Sequence, residues 1–296
     1  MNRDSIISKK KWRIEKVFFE IVKFIIYSGL IVLIAKYILV ITLRKLAENL
    51  NLKPKTVGNI AGYATSMPEL LTISISSMNG LMATSVFNIL SSNVINLIQY
   101  IASIVLNKNR KAFSNKAIKI DMILVLITIL IPLVLVWRNI EMNLFIVPVF
   151  LILYVLFQYL NGNSHKLYLQ KEDEQIEKQI RVEEEMEKGN TRKTVLYIIV
   201  LIGTGILLYV IGELLGDTLN NLCNQFSISQ TIIGILLGFI TSIPELITFF
   251  EAQKHYKEQK SNDMLGVVEA TNNLLSSNVL NLFIIQSIGI LIYTIF

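Results

Sequence analysis

Two acidic residues lie inside apolar stretches of this chain, each within a copy of the same short motif. Residues 65–72 read TSMPELLT and residues 241–248 read TSIPELIT, so Glu69 and Glu245 occupy equivalent positions, and neither stretch contains a Lys or Arg to neutralise them. A carboxylate inside a membrane costs about 2.5–3.5 kcal/mol on insertion scales, so such a residue indicates a functional site. Two copies in one chain predict a symmetric site.

Each Pro-Glu motif is followed by a second duplicated segment. Residues 88–97 read NILSSNVINL and residues 273–282 read NLLSSNVLNL. In this segment a Ser and an Asn four residues apart share one face of a helix, and in the first motif the Thr, Ser and Glu span little more than one turn. The hydroxyl and amide residues with these spacings are Thr65, Ser66, Ser92, Asn96, Thr241, Ser242, Ser277 and Asn281.

Carboxylate, hydroxyl and amide oxygens together are typical of a site for a hard cation, which takes about six to eight oxygen ligands. Two Glu residues balance the charge of one Ca²⁺, and the neutral oxygens suit Na⁺. Pro68 and Pro244 lack a backbone N–H and break a helix one turn back. Carbonyls freed in this way need a partner, which a bound cation can supply; they lie near Gly62 or Ala64 and near Gly238 or Ile240.

Polar residues in membrane helices also hydrogen-bond across helix interfaces without binding ions. This alternative stays open for Ser66, Ser92 and Ser277 taken singly. Glu269 has no counterpart in the first copy and is interpreted as an interfacial residue. The remaining polar positions of the second motif are interpreted as packing residues: Ser91, Asn93, Ser276 and Asn278.

The composition is that of a polytopic membrane protein. The chain is 53% hydrophobic and 17% charged with a mean hydropathy of +0.55, whereas soluble domains carry about 25% charged residues. A soluble enzyme is excluded, and no nucleophile is expected to pair with a histidine, since His165 and His255 are both predicted to lie in loops. The single Cys223 excludes a disulfide framework, and the net charge of +6 reflects basic loops rather than nucleic-acid binding.

We predict an all-α membrane protein with about eight spans, five in the first half and three in the second. The expected spans are 19–43, 57–77, 84–106, 119–137, 142–160, 194–213, 229–250 and 266–294. The first is expected to be a long tilted helix or an interfacial helix that runs into a span. Residues 1–161 then form a first membrane repeat, 162–193 a charged linker and 194–296 a second repeat.

The basic loops predict the orientation in the membrane. Lys and Arg cluster between spans one and two, between spans three and four, and after span seven, and cytoplasmic loops are rich in these residues. The N-terminus is therefore expected outside and the 162–193 linker inside, in the plasma membrane. The basic N-terminal tail contradicts this orientation, and an interfacial helix near residues 10–28 would account for it.

The two copies have opposite predicted orientations. Thr65 and Thr241 are 176 residues apart, whereas Asn93 and Asn278 are 185 apart, so the second copy has nine extra residues between its motifs. Five spans separate the start of the first unit from the start of the second, and an odd number reverses the direction of the chain. An inverted-topology repeat places its substrate site near the membrane midplane, where broken helices from both halves meet.

The paired motifs T-S-x-P-E-L and S-S-N-x-x-N resemble the two alpha repeats of the sodium/calcium exchanger family, whose pattern is roughly A-T-S-x-P-E followed by G-N-x-x-G-S-N-x-F-N. The resemblance covers about 55–105 and 229–290 closely, which include the motif regions 62–97 and 238–282, and the remaining spans only by hydropathy. It implies Na⁺/Ca²⁺ exchange by alternating access, with the first and sixth helices sliding over the core, and no prosthetic group. The implied ligands are Glu69, Glu245, Thr65, Ser66, Thr241, Ser242, Ser92, Asn96, Ser277, Asn281 and the carbonyls of Gly62 and Gly238.

The chain departs from the family pattern in three respects. Asn96 and Asn281 occupy positions of which one is often Asp, which disfavours proton-coupled or potassium-dependent variants. Glycines of the second motif are replaced by Phe87, Ser91, Asn272 and Ser276. Counterparts of the spans 119–137 and 142–160 are also expected to be missing from the second repeat, which leaves a homodimer as one possibility.

Two alternatives to Na⁺/Ca²⁺ exchange stay open. One keeps the fold and changes the ions, to proton-coupled exchange or to another divalent cation such as Mn²⁺. The other is a degenerate membrane protein that binds a cation or scaffolds a partner without transport, suggested by the missing spans and the replaced glycines.

Overall fold

The computed structural model describes residues 3–50, 62–161, 191–258 and 263–296, and all regular structure in these ranges is helical. The helices are α1 Arg3–Ile34, α2 Ile41–Asn49, α3 Met67–Met78, α4 Met82–Leu106, α5 Lys116–Trp137, α6 Ile146–Asn161, α7 Thr191–Asn220, α8 Gln230–Thr241, α9 Ile243–Glu258, α10 Asp263–Val279 and α11 Gln286–Ile295. Three π-helical segments and one 3₁₀ turn supplement them, at Ala35–Val40, Asn221–Gln225, Leu280–Ile285 and Arg110–Ser114.

The prediction of an all-α polytopic membrane protein is confirmed. Within the described ranges, six helical stretches are long and apolar enough to cross a membrane: Ile14–Leu43, Met82–Leu106, Lys116–Trp137, Thr191–Gln225, Gln230–Lys254 and Gly266–Ile295. Their outward faces are apolar, as at Ile199, Ile202 and Ile206 of α7, which are each about 60% exposed in the isolated chain. Such a surface is suited to lipid.

Two expected spans differ from a simple membrane crossing. The expected span 142–160 is observed as α6, which is shorter than the about 20 residues that a full crossing needs. Of the expected span 57–77, the part from Gly62 onward is described, and it is helical at 62–65 and in α3. The charged linker lies outside the described residues as far as position 190.

The N-terminal helix is continuous from Arg3 to Ile34 and runs on through the first π segment into α2. Of the two alternatives for this region, the long helix is therefore the one that forms. It packs against α7, and α7 in turn packs against α3. This second contact is close, because a Cβ added at Gly212 or Gly216 would lie 2.6 Å from the side chain of Ile75.

The core that carries the motifs is built by α4, which packs on α8, and by α9, which packs on α10. Tyr100 of α4 meets Phe249 of α9 edge to face, with ring centroids 5.8 Å apart. Phe283 packs on Phe150 and Phe157 of α6, at 5.8 and 5.1 Å. These aromatic contacts lie beside the duplicated motifs and hold their helices in place.

Candidate functional site

Both Pro-Glu motifs interrupt a helix at the same residue. The joints at Ser66 (φ −81°, ψ 0°) and Ser242 (φ −78°, ψ 0°) have almost identical backbone angles. Each is followed by a helix with Pro at its second position, where the missing N–H of proline is tolerated. The break that the sequence predicts is therefore present in both copies, one residue before the new helix begins.

Each acid lies in the first turn of the helix that follows the break. Glu69 is in the first turn of α3 and Glu245 in the first turn of α9, and both side chains have no exposed surface. The N-terminus of a helix carries partial positive charge, which stabilises a nearby carboxylate. This placement offsets part of the cost of burying the two acids.

Each acid is bonded to a serine of its own copy, which in turn meets a serine of the other copy. Ser92 Oγ donates to Glu69 Oε1 at 2.8 Å, and Ser242 Oγ of the second copy lies 3.1 Å from Ser92 Oγ. The same arrangement surrounds the acid of the second copy, where the additional serine comes from the first copy. Ser277 Oγ donates to Glu245 Oε1 at 3.1 Å, and Ser66 Oγ of the first copy lies 2.8 Å from Ser277 Oγ. Each acid is thus linked to the other copy through two hydroxyls.

Among the predicted ligand residues, four buried side-chain oxygens lack a hydrogen-bond donor in the described part of the chain. Glu69 Oε2, Glu245 Oε2, Asn96 Oδ1 and Asn281 Oδ1 have no hydrogen-bond partner within the described residues. The amide nitrogens of the two asparagines, in contrast, are engaged: Asn96 Nδ2 donates to Asn278 Oδ1 at 3.1 Å and Asn281 Nδ2 to Asn93 Oδ1 at 3.3 Å. A buried acceptor without a donor is costly, and a cation removes that cost.

The two glycines mark close helix crossings. A Cβ at Gly62 would lie 2.8 Å from Asn273 O, and a Cβ at Gly238 would lie 2.5 Å from Asn88 O. The carbonyls of both glycines accept hydrogen bonds from the serine at the helix break, at 2.9 Å from Ser66 Oγ and 2.7 Å from the equivalent hydroxyl in the second copy. Only a residue without a side chain allows the backbones to approach this closely.

The twelve predicted residues form two hydrogen-bonded groups, one around Glu69 and one around Glu245, and each group contains residues of both copies. Thr65 Oγ1 donates to Gly62 O at 3.2 Å, and Thr241 Oγ1 donates to Asn88 Oδ1 at 3.5 Å. The ten predicted side chains have no exposed surface: Thr65, Ser66, Glu69, Ser92, Asn96, Thr241, Ser242, Glu245, Ser277 and Asn281. Within the described residues no three His, Cys, Asp or Glu side chains come together, so the two acids supply the formal charge of this site.

The structure adds polar residues that the sequence interpretation missed. Asn88 Nδ2 donates to Thr72 Oγ1 at 2.8 Å, and Asn273 Nδ2 donates to Thr248 Oγ1 at 2.6 Å. All four lie within the duplicated motifs, so the repeat itself was the signal that could have found them. Asn93 and Asn278, interpreted as packing residues, make hydrogen bonds within the site. Glu269, interpreted as interfacial, is only 4% exposed.

Comparison with known proteins agrees with the resemblance seen in the motifs. The family model described as sodium/calcium exchanger protein matches residues 21–162 and 196–296, which include both motif copies. The chain belongs to the sodium/calcium exchanger family. It is therefore a multi-pass membrane protein of an ion-transporting family. No curated protein matches the chain in sequence.

Solved structures of this family share the fold. The sodium-calcium exchanger NCX_Mj soaked with 10 mM Na⁺ and zero Ca²⁺ superposes with a TM-score of 0.51 at 20% identity, over 93% of this chain and 83% of that chain. The same exchanger soaked with 10 mM Na⁺ and 10 mM Sr²⁺ superposes with a TM-score of 0.50 at 20% identity and the same coverage. At this identity the likeness supports the shared exchanger fold.

Proposed function

We propose that this family member is a secondary antiporter that exports Ca²⁺ in exchange for Na⁺. The observation that carries the proposal is the pair of buried acids, Glu69 and Glu245, each with one carboxylate oxygen held by a serine and the other oxygen open. Their combined formal charge of −2 is balanced by one Ca²⁺ or by two Na⁺. The two ions therefore compete for the same oxygens, which is the requirement for exchange at one site.

The neutral oxygens around the acids complete the proposed ligand set. Asn96 Oδ1 and Asn281 Oδ1 are open acceptors, and each serine or threonine oxygen keeps a lone pair after donating its single proton. Ca²⁺ takes about six to eight oxygens and Na⁺ is satisfied by neutral ones. The set in this proposal contains Glu69, Glu245, Thr65, Ser66, Thr241, Ser242, Ser92, Asn96, Ser277, Asn281, and the carbonyls of Gly62 and Gly238.

Alternating access in this proposal comes from the first and sixth predicted helices, α1 and α7, sliding along the core. Two features support it. The two helices pack on each other, and α7 meets α3 through Gly212 and Gly216, which present a surface of small residues. We further propose that residues 1–161 and 194–296 are the two repeats in the plasma membrane, with the N-terminus outside and the 162–193 linker in the cytoplasm.

The test is gradient-driven flux in liposomes. The purified chain is reconstituted, the vesicles are loaded with Na⁺ and diluted into Na⁺-free medium with radioactive Ca²⁺, and uptake is compared with vesicles loaded with choline. We expect Na⁺-dependent uptake that is lost in Glu69→Gln and in Glu245→Gln. The matched control is Glu141→Gln, because Glu141 is an exposed acid outside the site.

Three outcomes separate the alternatives. Uptake that survives either Gln substitution would overturn the residue assignment. Uptake that follows an imposed proton gradient, with Na⁺ held equal on both sides, would replace Na⁺ by H⁺ as the coupling ion. Binding of Ca²⁺ without gradient-driven uptake would replace exchange by a non-transporting, cation-binding role.

A further inference from the structure

Two asparagines outside the proposed ligand set form a reciprocal pair at the centre of the site. Asn93 Nδ2 donates to the backbone oxygen of Asn278 at 3.2 Å, and Asn278 Nδ2 donates to the backbone oxygen of Asn93 at 3.1 Å. Both side chains are completely buried. The pair joins α4 to α10 and relates the two repeats in the manner of a two-fold axis.

The side-chain oxygens of this pair have a second use. Asn278 Oδ1 accepts a hydrogen bond from Asn96 Nδ2 at 3.1 Å, and Asn93 Oδ1 accepts one from Asn281 Nδ2 at 3.3 Å. In each residue of the pair, the side-chain nitrogen therefore donates to the partner's backbone oxygen, and the side-chain oxygen accepts from a ligand asparagine of the other repeat. The residues are 182 and 188 positions apart in the chain, so these bonds form only when the repeats are assembled.

This arrangement determines which end of each ligand amide faces the site. An asparagine side chain can present either its oxygen or its NH₂ group, and only the oxygen binds a cation. The pair holds the nitrogens of Asn96 and Asn281, the first of which also lies 3.5 Å from Ser277 Oγ, and both Oδ1 atoms are left without a donor among the described residues, as is one oxygen of each acid. Rotation of either amide by half a turn would place two oxygens against each other and leave a buried NH₂ group without its acceptor.

We propose that Asn93 and Asn278 are positioning residues of the cation site, which orient the amide oxygens of Asn281 and Asn96 toward the ion. The inference rests on the proposed cation site but does not require that the chain exchanges ions across the membrane. A positioning role differs from a packing role in how cation affinity is affected. A positioning residue changes the affinity through the ligand asparagine whose side chain it holds, whereas a packing residue does not depend on that asparagine.

A double-mutant cycle on Ca²⁺ affinity tests this difference. Ca²⁺ binding to the purified full chain is measured by titration calorimetry for Asn96→Ala, Asn278→Ala and the double variant. We expect each single change to weaken binding roughly tenfold, and the double variant to be no weaker than Asn96→Ala alone, because contacting residues in one network are not additive. The control cycle combines Asn278→Ala with Thr241→Ala, whose hydroxyl donates to Asn88 and to neither asparagine of the pair, and its losses should multiply.

The outcomes decide between the two roles. If the losses of Ca²⁺ affinity multiply in both cycles, the positioning role is overturned in favour of packing. The same holds if Asn278→Ala loses thermal stability but keeps its Ca²⁺ affinity. If Asn278→Ala does not fold, the symmetric cycle of Asn93→Ala with Asn281→Ala, controlled by Asn93→Ala with Thr65→Ala, makes the same distinction, because the Thr65 hydroxyl donates to Gly62 O. Ca²⁺ binding by the unaltered chain without flux would overturn exchange alone, whereas absence of binding would overturn both proposals.

Discussion

The sharpest structural prediction concerns Gly238, where α8 crosses α4. An added methyl group would lie 2.5 Å from Asn88 O and 2.8 Å from Ser92 N, and would also meet Ser91 Oγ. The first two are backbone atoms of a helix, which cannot rotate away as a side chain can. Since favourable contacts begin at about 3.5 Å, Gly238→Ala must push the two helices apart by about 1 Å.

The expected loss of stability follows from two terms. Overpacking of this kind costs about 1–3 kcal/mol. A shift of about 1 Å would also stretch the bond between Ser242 Oγ and Ser92 Oγ from 3.1 Å beyond the range of a hydrogen bond, at a net cost of about 1 kcal/mol. The free energy of unfolding should therefore fall by about 2–4 kcal/mol. The same shift separates Ser92 from its partner in the other repeat, so Ca²⁺ uptake should fall at least roughly tenfold.

Gly203→Ala is the matched control. Gly203 is also within a helix, but it is exposed and a Cβ there meets nothing within 4 Å. Alanine is favoured over glycine in a helix interior by about 1 kcal/mol, so this variant should be at least as stable as the unaltered chain. Both variants are heated in detergent, the folded fraction is measured by fluorescence-detected size-exclusion chromatography, and flux is measured in liposomes. If Gly238→Ala matched Gly203→Ala in both assays, the close crossing would be refuted.

Three further substitutions have distinct expected effects. Ser277→Ala removes the only donor to Glu245 Oε1 among the described residues, so Ca²⁺ affinity measured by calorimetry should fall by about 1–3 kcal/mol; unchanged affinity would contradict the bond. Thr72→Val keeps the shape but leaves Asn88 Nδ2 without its acceptor, which should lower the free energy of unfolding by about 1–3 kcal/mol; a variant as stable as the unaltered chain would argue against it. Gly212→Ala meets the flexible end of a side chain on α3, so it should leave Ca²⁺ affinity unchanged and slow the flux; faster flux would argue against sliding of α7.

The ligand residues could be predicted from the sequence because the same polar and acidic residues occur in two copies at helical spacing. A Ser and an Asn four residues apart must share a face, and a Pro inside an apolar stretch must interrupt its helix. Ser92, Asn96 and the serine at each break are accordingly buried, in two hydrogen-bonded groups that each contain one of the acids. These inferences need only local geometry within one helix.

Contacts between the repeats could not be obtained in the same way. Asn93 and Asn278 follow the ligand serines and lie on a neighbouring face of their helices, which led to the interpretation that they serve packing. Their hydrogen-bond partners are on the other repeat, and spacing within a helix does not say which helix crosses it, or at what distance.

Helix lengths and irregular turns also depend on tertiary packing. Hydropathy predicts an apolar run at 142–160, but α6 begins only at Ile146, after a turn that carries Asn143. The π-helical segment that contains Asn281 has an α-helical counterpart around Asn96. Nearly identical motifs thus adopt different local geometry, which their sequences alone do not distinguish.

The most direct test of the site is a structure of the purified chain with Ca²⁺ bound. The proposal predicts one Ca²⁺ between the two repeats, with Glu69 Oε2 and Glu245 Oε2 among its ligands at about 2.3–2.6 Å. The amide oxygens of Asn96 and Asn281, and not their nitrogens, should face the ion. A Ca²⁺ bound elsewhere, or one at this place that is coordinated without either glutamate, would contradict it.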